Sequence, residues 1–161
     1  ALMGERIAIG ADHGGYFLKE ELITWLRGQN YNVTDLGAHT FDENDDYPDF
    51  AKAVAEEVSS KRATHGLIIC GSGVGASITA NKILGIRAGL CHDTYSARQG
   101  VEHDSMNILC LGARIVGIEL SKELVNSFLR AKPLSDSRFQ RRLKKLLSIE
   151  QATFKNGQST K

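Results

Sequence analysis

"GLIICGSGVGASITANK", residues 66–82, decides how this chain is read. Leu67, Ile68, Ile69 and Cys70 form a short apolar run, glycines follow at 71, 73 and 75, and a brief helical pattern comes after. Apolar residues ending in glycine read as a buried strand, a tight turn and a helix N-terminus. The same alternation extends in both directions. Upstream, RIAIG (6–10) is a short strand, and YFLKEELITWLRGQ (16–29) sets Phe17, Leu18, Leu22, Trp25 and Leu26 at helical spacing with Gly28 near the exit. YNVTDLG (31–37) is a second strand. After the polar stretch AHTFDENDD (38–46), YPDFAKAVAEEVSS (47–60) is a helix with Pro48 just inside its start. Downstream, a short helix covers 76–83 and IRAGLC (86–91) is the fourth strand. HDTYSARQG (92–100) is helical with Asp93 as its cap, and NILCLG (107–112) is the fifth strand. Two helices close the chain over 118–131 and 135–151, before a tail, FKNGQSTK, that reads as frayed.

Five strands separated by helices predict an α/β fold, with a parallel sheet covered on both faces. The length of 161 residues suits one domain, here residues 1–150, with 151–161 expected as a disordered tail. Lys and Arg number 20 against 19 Asp and Glu, so charge gives no reason to expect nucleic acid or an anionic membrane as partner. No apolar run approaches the ~20 residues of a bilayer span, and no signal-peptide pattern opens the chain. Ala1, Leu2 and Met3 precede what reads as the natural start. The three cysteines are an odd number without metal-ligand spacing, which argues for a reducing compartment, by default the cytoplasm.

Functional groups of such a sheet gather beyond the carboxyl ends of its strands. Gly71, Gly73 and Ala76 satisfy G-x-G-x-x-A, and Asp93 lies near the distance expected of a ribose-binding acid, so a dinucleotide fingerprint is one reading. Against it, the loop follows the third strand rather than the first, and only a short helix fits before the next. Asp93 also serves as a helix cap, and no room remains for a substrate domain. The second reading uses the loop's backbone N–H groups as a nest for a small oxyanion, with Cys70 at its mouth as a thiolate favoured by the helix terminus. A buried strand-end cysteine is the commoner state of the residue, and Cys91 and Cys110 read that way. Asp12 and His13, in GADHGG (10–15), leave the first strand at the same edge. His39, His65 and His92 read as surface or turn residues, and Asp42, Glu43, Asp45 and Asp46 as a solvated loop. Lys82 reads as a packing or ion-pair residue.

The ordered motifs GADHGG, DYPDFA, ICGSGVG with ANK, YSARQGVEHDSMN, LGARIVG and RFQRR resemble the ribose-5-phosphate isomerase B family, which is grouped with the galactose-6-phosphate isomerase subunits. The resemblance runs from Arg6 to Glu150. It implies a Rossmann-like three-layer sandwich, and a homodimer or dimer of dimers with the site at the subunit interface. It also implies aldose–ketose isomerisation of a sugar phosphate, with no metal and no cofactor. By the same resemblance, Cys70 is the base that moves a proton between C1 and C2, Ser72 assists the substrate oxygens, and the amides of Gly71, Gly73 and Gly75 form the anion hole. The glutamate base of other members would stand at Ala76, so the chain resembles the cysteine branch. His103 matches the ring-opening histidine, Asp12 a group contacting a sugar hydroxyl, and Tyr47 an aromatic near the substrate. His13 and Arg114 match residues near the phosphate. Arg138 and Arg142, spaced i, i+4 on one helix face, match arginines that reach the phosphate from the other subunit. Two positions depart from the pattern: Asp104 stands where asparagine is usual, and Phe139 where histidine is usual. Ribose 5-phosphate and ribulose 5-phosphate are the implied pair. Galactose or allose 6-phosphate, or a non-catalytic nucleotide- or sugar-phosphate-binding module, are the alternatives.

Overall fold

The computed structural model describes residues 4–158; Ala1–Met3 and the last three residues of the expected tail lie outside the described residues. Strands β1 (Arg6–Ala11), β2 (Asn32–Asp35), β3 (His65–Cys70), β4 (Ala88–Leu90) and β5 (Ile108–Gly112) form one sheet in the order β2-β1-β3-β5-β4. Every pairing is parallel. Helices α1 (Tyr16–Gly28), α2 (Tyr47–Ser59), α3 (Val74–Ala80) and α4 (Thr94–Asp104) make the four crossovers, and α5 (Ile118–Arg130) and α6 (Ser137–Gln158) follow the last strand.

Alternation along the strands builds two cores. Ile7, Ile9, Leu67, Ile69, Leu109 and Leu111 face α1, α4 and α5, where they meet Leu22, Val101 and Phe128. Ala8, Ile68, Cys70, Ile108 and Cys110 face the other way, onto Val54 of α2 and Ala76 and Ala80 of α3. The central strands β1, β3 and β5 are covered on both faces and read as apolar runs, whereas the edge strands β2 and β4 are shorter and partly exposed. Lys19 is fully buried yet paired, its Nζ 3.1 Å from Asp35 and 2.5 Å from Glu20. Paired and hydrogen-bonded is the condition under which a lysine survives burial.

Several boundaries shift from those expected. α3 begins at Val74, two residues earlier, and ends at Ala80, three residues earlier. α4 passes through Gly100 to Asp104 and stops at Ser105, whose φ of 51° ends the helix. Asp93 caps it as anticipated, its carboxylate accepting from the Ser96 N–H at 2.7 Å. α6 continues to Gln158, through most of the segment expected to fray. Leu146, Ile149 and Phe154 line a groove together with Ile83, Leu84 and Met106, and the Glu150 carboxylate accepts the Gly85 N–H at 3.0 Å, a tie that a tail would lack. Among the described residues no helix is long and apolar enough to cross a membrane.

Candidate active site

The chain leaves β1 and β3 at the point where the strand order changes direction: β2 lies on one side of β1, and β3, β5 and β4 on the other. That switch opens a crevice beyond the strand ends. Ala11 is level with Ile69, and Cys70 is level with Gly112. Asp12 and Cys70 therefore leave the sheet side by side, and their loops touch. A Cβ added at Gly14 would lie 3.0 Å from the Gly71 nitrogen and 3.2 Å from Asp12 Oδ1.

Cys70 is 5% exposed and belongs to the core on the α2–α3 side. Its sulfur is turned to the loop, where Sγ accepts the Gly73 N–H at 3.1 Å. Ser72 Oγ accepts the Val74 N–H at 3.3 Å. Thiol and hydroxyl thus satisfy the first backbone donors of α3, groups that a helix start always leaves over. Of the three glycine amides expected to hold an oxyanion, that of Gly73 is occupied by sulfur. Gly73 has φ of 82°, a conformation that makes glycine the natural choice, and a Cβ at Gly75 would meet the Tyr47 ring at 2.5 Å. Tyr47, the first residue of α2, is thereby laid across the loop. Burial pushes the Cys91 thiol up, with the Asp93 charge adding to it, and pushes Cys110 much further. Neither is suited to act as a base.

Around the crevice, Arg114 donates its backbone N–H to Gly71 O at 3.0 Å, and its side chain passes 3.7 Å from a Cβ placed at Gly71. Asp12 is 7% exposed, and its Oδ1 has no hydrogen-bond partner. Burial raises the Asp12 pKa, with the neighbouring His13 charge opposing. His13 Nδ1 is 2.7 Å from Asp45 Oδ1, which also accepts the His13 backbone N–H at 2.9 Å. The hydrogen bond to Asp45 raises the His13 pKa and favours imidazolium. Asp45 is therefore no member of a solvated loop: it orients His13 from 32 residues away. His92 is likewise more than a turn residue, since its Nε2 accepts the Gly112 N–H at 3.0 Å at the end of β5. His65 packs edge-on to Phe128 at 5.3 Å, and burial lowers its pKa.

Asp12, His13 and Asp45 place ligand-type atoms within 4.8 Å of one another, the one such trio among the described residues. The His13 nitrogen that a cation would take is already paired with Asp45, so the group reads as a carboxylate–imidazole couple. Asn81, from the ANK motif, both donates to and accepts from the Ala88 backbone, at 2.9 and 2.8 Å, and so ties down the edge strand β4.

The remaining expected residues lie elsewhere. α4 starts after β4 at the crevice end and runs back antiparallel to the strands, about 1.5 Å per residue. Its last turn therefore sits at the opposite edge of the sheet, where Asn107 O accepts from Gly66 at the start of β3. His103 and Asp104 are there. Gln99 Nε2 approaches His103 Nδ1 at 2.8 Å, and the Phe139 ring stacks on the imidazole at 3.9 Å and 18°. The Arg138 guanidinium lies over the Phe139 ring, 4.7 Å from its centroid, and Arg142 follows one turn along α6. Asn107 does not stand in for the usual asparagine, because its side chain bonds Arg87 N and Gly85 O. One chain thus carries two clusters at opposite sheet edges: Cys70, Ser72, Asp12, His13, Tyr47 and Arg114 at one, and His103, Arg138 and Arg142 at the other.

Comparison with known proteins gives this division a context. Ribose-5-phosphate isomerase B of Escherichia coli K12 is 41% identical over 147 residues, covering 91% of this chain and 97% of that protein. A solved structure of ribose-5-phosphate isomerase B from Clostridium thermocellum superposes with a TM-score of 0.88 at 44% identity, covering 92% of this chain and 99% of that one. The Mycoplasma genitalium enzyme, solved with bound ribulose-5-phosphate, gives 0.87 at 39%, covering 92% and 98%. Residues 7–146 match the Ribose/Galactose Isomerase family, and to that family the chain belongs.

Proposed function

We propose that this protein interconverts ribose 5-phosphate and ribulose 5-phosphate in the cytoplasm, at sites assembled from two copies of the chain. The observation that carries the reading is Cys70 Sγ at 3.1 Å from the Gly73 N–H, beside the unpartnered carboxylate oxygen of Asp12. A sulfur base next to backbone donors suits a reaction in which a carbon-bound proton is removed and the charge moves onto oxygen.

In this reading His13, Arg114 and the second copy's Arg138 and Arg142 hold the phosphate. The second copy's His103 carries the anomeric hydroxyl proton to the ring oxygen as the C1–O bond of the furanose breaks, while Asp12 holds a sugar hydroxyl. Tyr47 lines the sugar. The Cys70 thiolate, held by the Gly73 N–H, then takes the C2 proton of the open aldehyde, and an enediolate forms against the loop amides of Gly71 and Gly75. Ser72 passes the O2 proton to O1, and the thiol returns its proton to C1, leaving the C2 ketone. No redox partner or metal is needed for this balance. Asp104, exposed at the end of α4, enters the site beside His103 with a negative charge.

A site shared by two copies is supported by the topology, because α4 carries His103 away from the Cys70 edge. Exposed apolar residues near that edge, Val74 and Ile78 on α3 and Leu90 on β4, supply surface for pairing. The test is an assay of the wild-type chain and Cys70→Ala on ribose 5-phosphate and on galactose and allose 6-phosphates, compared by kcat/KM. Highest efficiency on the five-carbon substrate, and a loss of about 10³-fold or more in Cys70→Ala with an unchanged circular dichroism spectrum, are expected. Higher efficiency on a six-carbon phosphate would move the substrate assignment, and a fully active Cys70→Ala would remove the mechanism.

A further inference from the structure

The imidazole of His103 is fixed on one nitrogen and one face by residues that the proposed chemistry does not use. Gln99, one turn earlier on α4, reaches Nδ1 at 2.8 Å. A glutamine amide offers both a donor and an acceptor, so it pairs with Nδ1 whether or not that nitrogen carries the proton. Phe139 is 4% exposed and lies flat on the ring, with centroids 3.9 Å apart and planes 18° from parallel. The junction is tethered on both sides: Leu134 N donates to Glu102 O at 2.9 Å, and Gln140 Nε2 donates to Leu134 O at 3.3 Å. Among the described residues His103 Nε2 has no hydrogen bond, and it is the only ring nitrogen left to meet a sugar.

We propose that Gln99 and Phe139 are positioning residues for His103: Gln99 occupies Nδ1 so that Nε2 is the working nitrogen, and Phe139 sets the plane in which it points. The proposal rests on the reading of His103 as the ring-opening group. It assigns Phe139 a task other than phosphate contact, for which its side chain has no donor. The nitrogen that works in a histidine is generally chosen by the bond the other nitrogen makes, and a stacked aromatic partner removes rotation about χ2 without adding charge.

Two reactions of the full-length protein separate positioning from general damage. Ribose 5-phosphate is a furanose and must be opened. Ribulose 5-phosphate cannot close a five-membered ring, because the oxygen required carries the phosphate, so exchange of its C1 proton with deuterated water bypasses opening. In Gln99→Met, kcat on ribose 5-phosphate is expected to fall about tenfold while C1 exchange stays within about twofold of wild type. Phe139→Leu is expected to give the same split, and Gln99→Glu, which keeps an acceptor at Nδ1, to restore most of the lost turnover. Equal losses in both reactions, or no loss in either, would overturn the proposal. Absence of both isomerisation and C1 exchange in the wild-type protein would overturn the isomerase reading and the positioning role with it.

Discussion

The two clusters are built on different principles. The Cys70 edge is set by the sheet: Asp12 and Cys70 emerge from adjacent, fully buried strands, the register fixes them level, and loop glycines let Tyr47 and the neighbouring loop close over them. The His103 edge is set by a helix end and a helix start, α4 and α6, held by one stack and two hydrogen bonds. Chemistry that depends on sub-ångström placement sits on the rigid side. In the proposed function, ring opening falls to the half-buried His103 and substrate gripping to the exposed Arg138 and Arg142, which a second copy would present. The first cluster should therefore respond to substitution through stability and bond making, and the second through binding.

The largest effect should come from stripping the second cluster of charge. Arg138→Ala with Arg142→Ala should raise KM for ribose 5-phosphate about a hundredfold, since charged hydrogen bonds to phosphate are the strong ones. The rate at which iodoacetamide alkylates Cys70 should not change. A fall in kcat at unchanged KM would break the division of labour. Next, Gly75→Ala drives a methyl into the Tyr47 ring and should destabilise the fold by about 1–3 kcal/mol in urea unfolding while lowering turnover. Wild-type stability would mean that Tyr47 is loosely held.

A smaller effect concerns His13. Its pKa is raised by Asp45, so the cation is held to higher pH than in a free histidine, and phosphate affinity should weaken only as pH climbs through that raised value. Asp45→Asn should bring the weakening down toward the ordinary 6.5 and raise KM about threefold near pH 7.5. KM measured from pH 7 to 9, where the phosphate is a dianion throughout, separates the two profiles. Smallest of all, Asp93→Ala removes the α4 cap and should lower Tm by about 3–8 °C without altering KM. The Ser96 N–H holds the Asp93 pKa below 3.8, so the cap's contribution is present above that value. It is lost as pH falls through the lowered one.

The centre of the sheet was readable because β1, β3 and β5 are apolar runs bounded by glycine or polar residues, while the edge strand β2 offers only Val33 as a buried residue. Cys70 was readable because it alone of the three cysteines opens onto glycines. Asp45 was not, since it stands among Asp42, Glu43 and Asp46 and nothing local separates the one carboxylate that folds back on His13. His92 was missed for the same reason, as its partner is a backbone N–H 20 residues later. The length of α6 escaped because Gly157 and the polar residues near it suggest fraying, and the Glu150–Gly85 hydrogen bond that ties the helix down is a tertiary contact. That His103 lies far from Cys70 follows from the topology alone, because a crossover helix between parallel strands must run back along the sheet.

Mixing two inactive variants tests most directly whether the halves belong to different copies. Cys70→Ala and His103→Asn, unfolded and refolded together, give mixed dimers in which one of the two sites has both groups intact. Activity should return to about a quarter of wild type if the copies pair at random. Refolded mixtures as inactive as either parent, despite demonstrated subunit exchange, would contradict a site shared between chains.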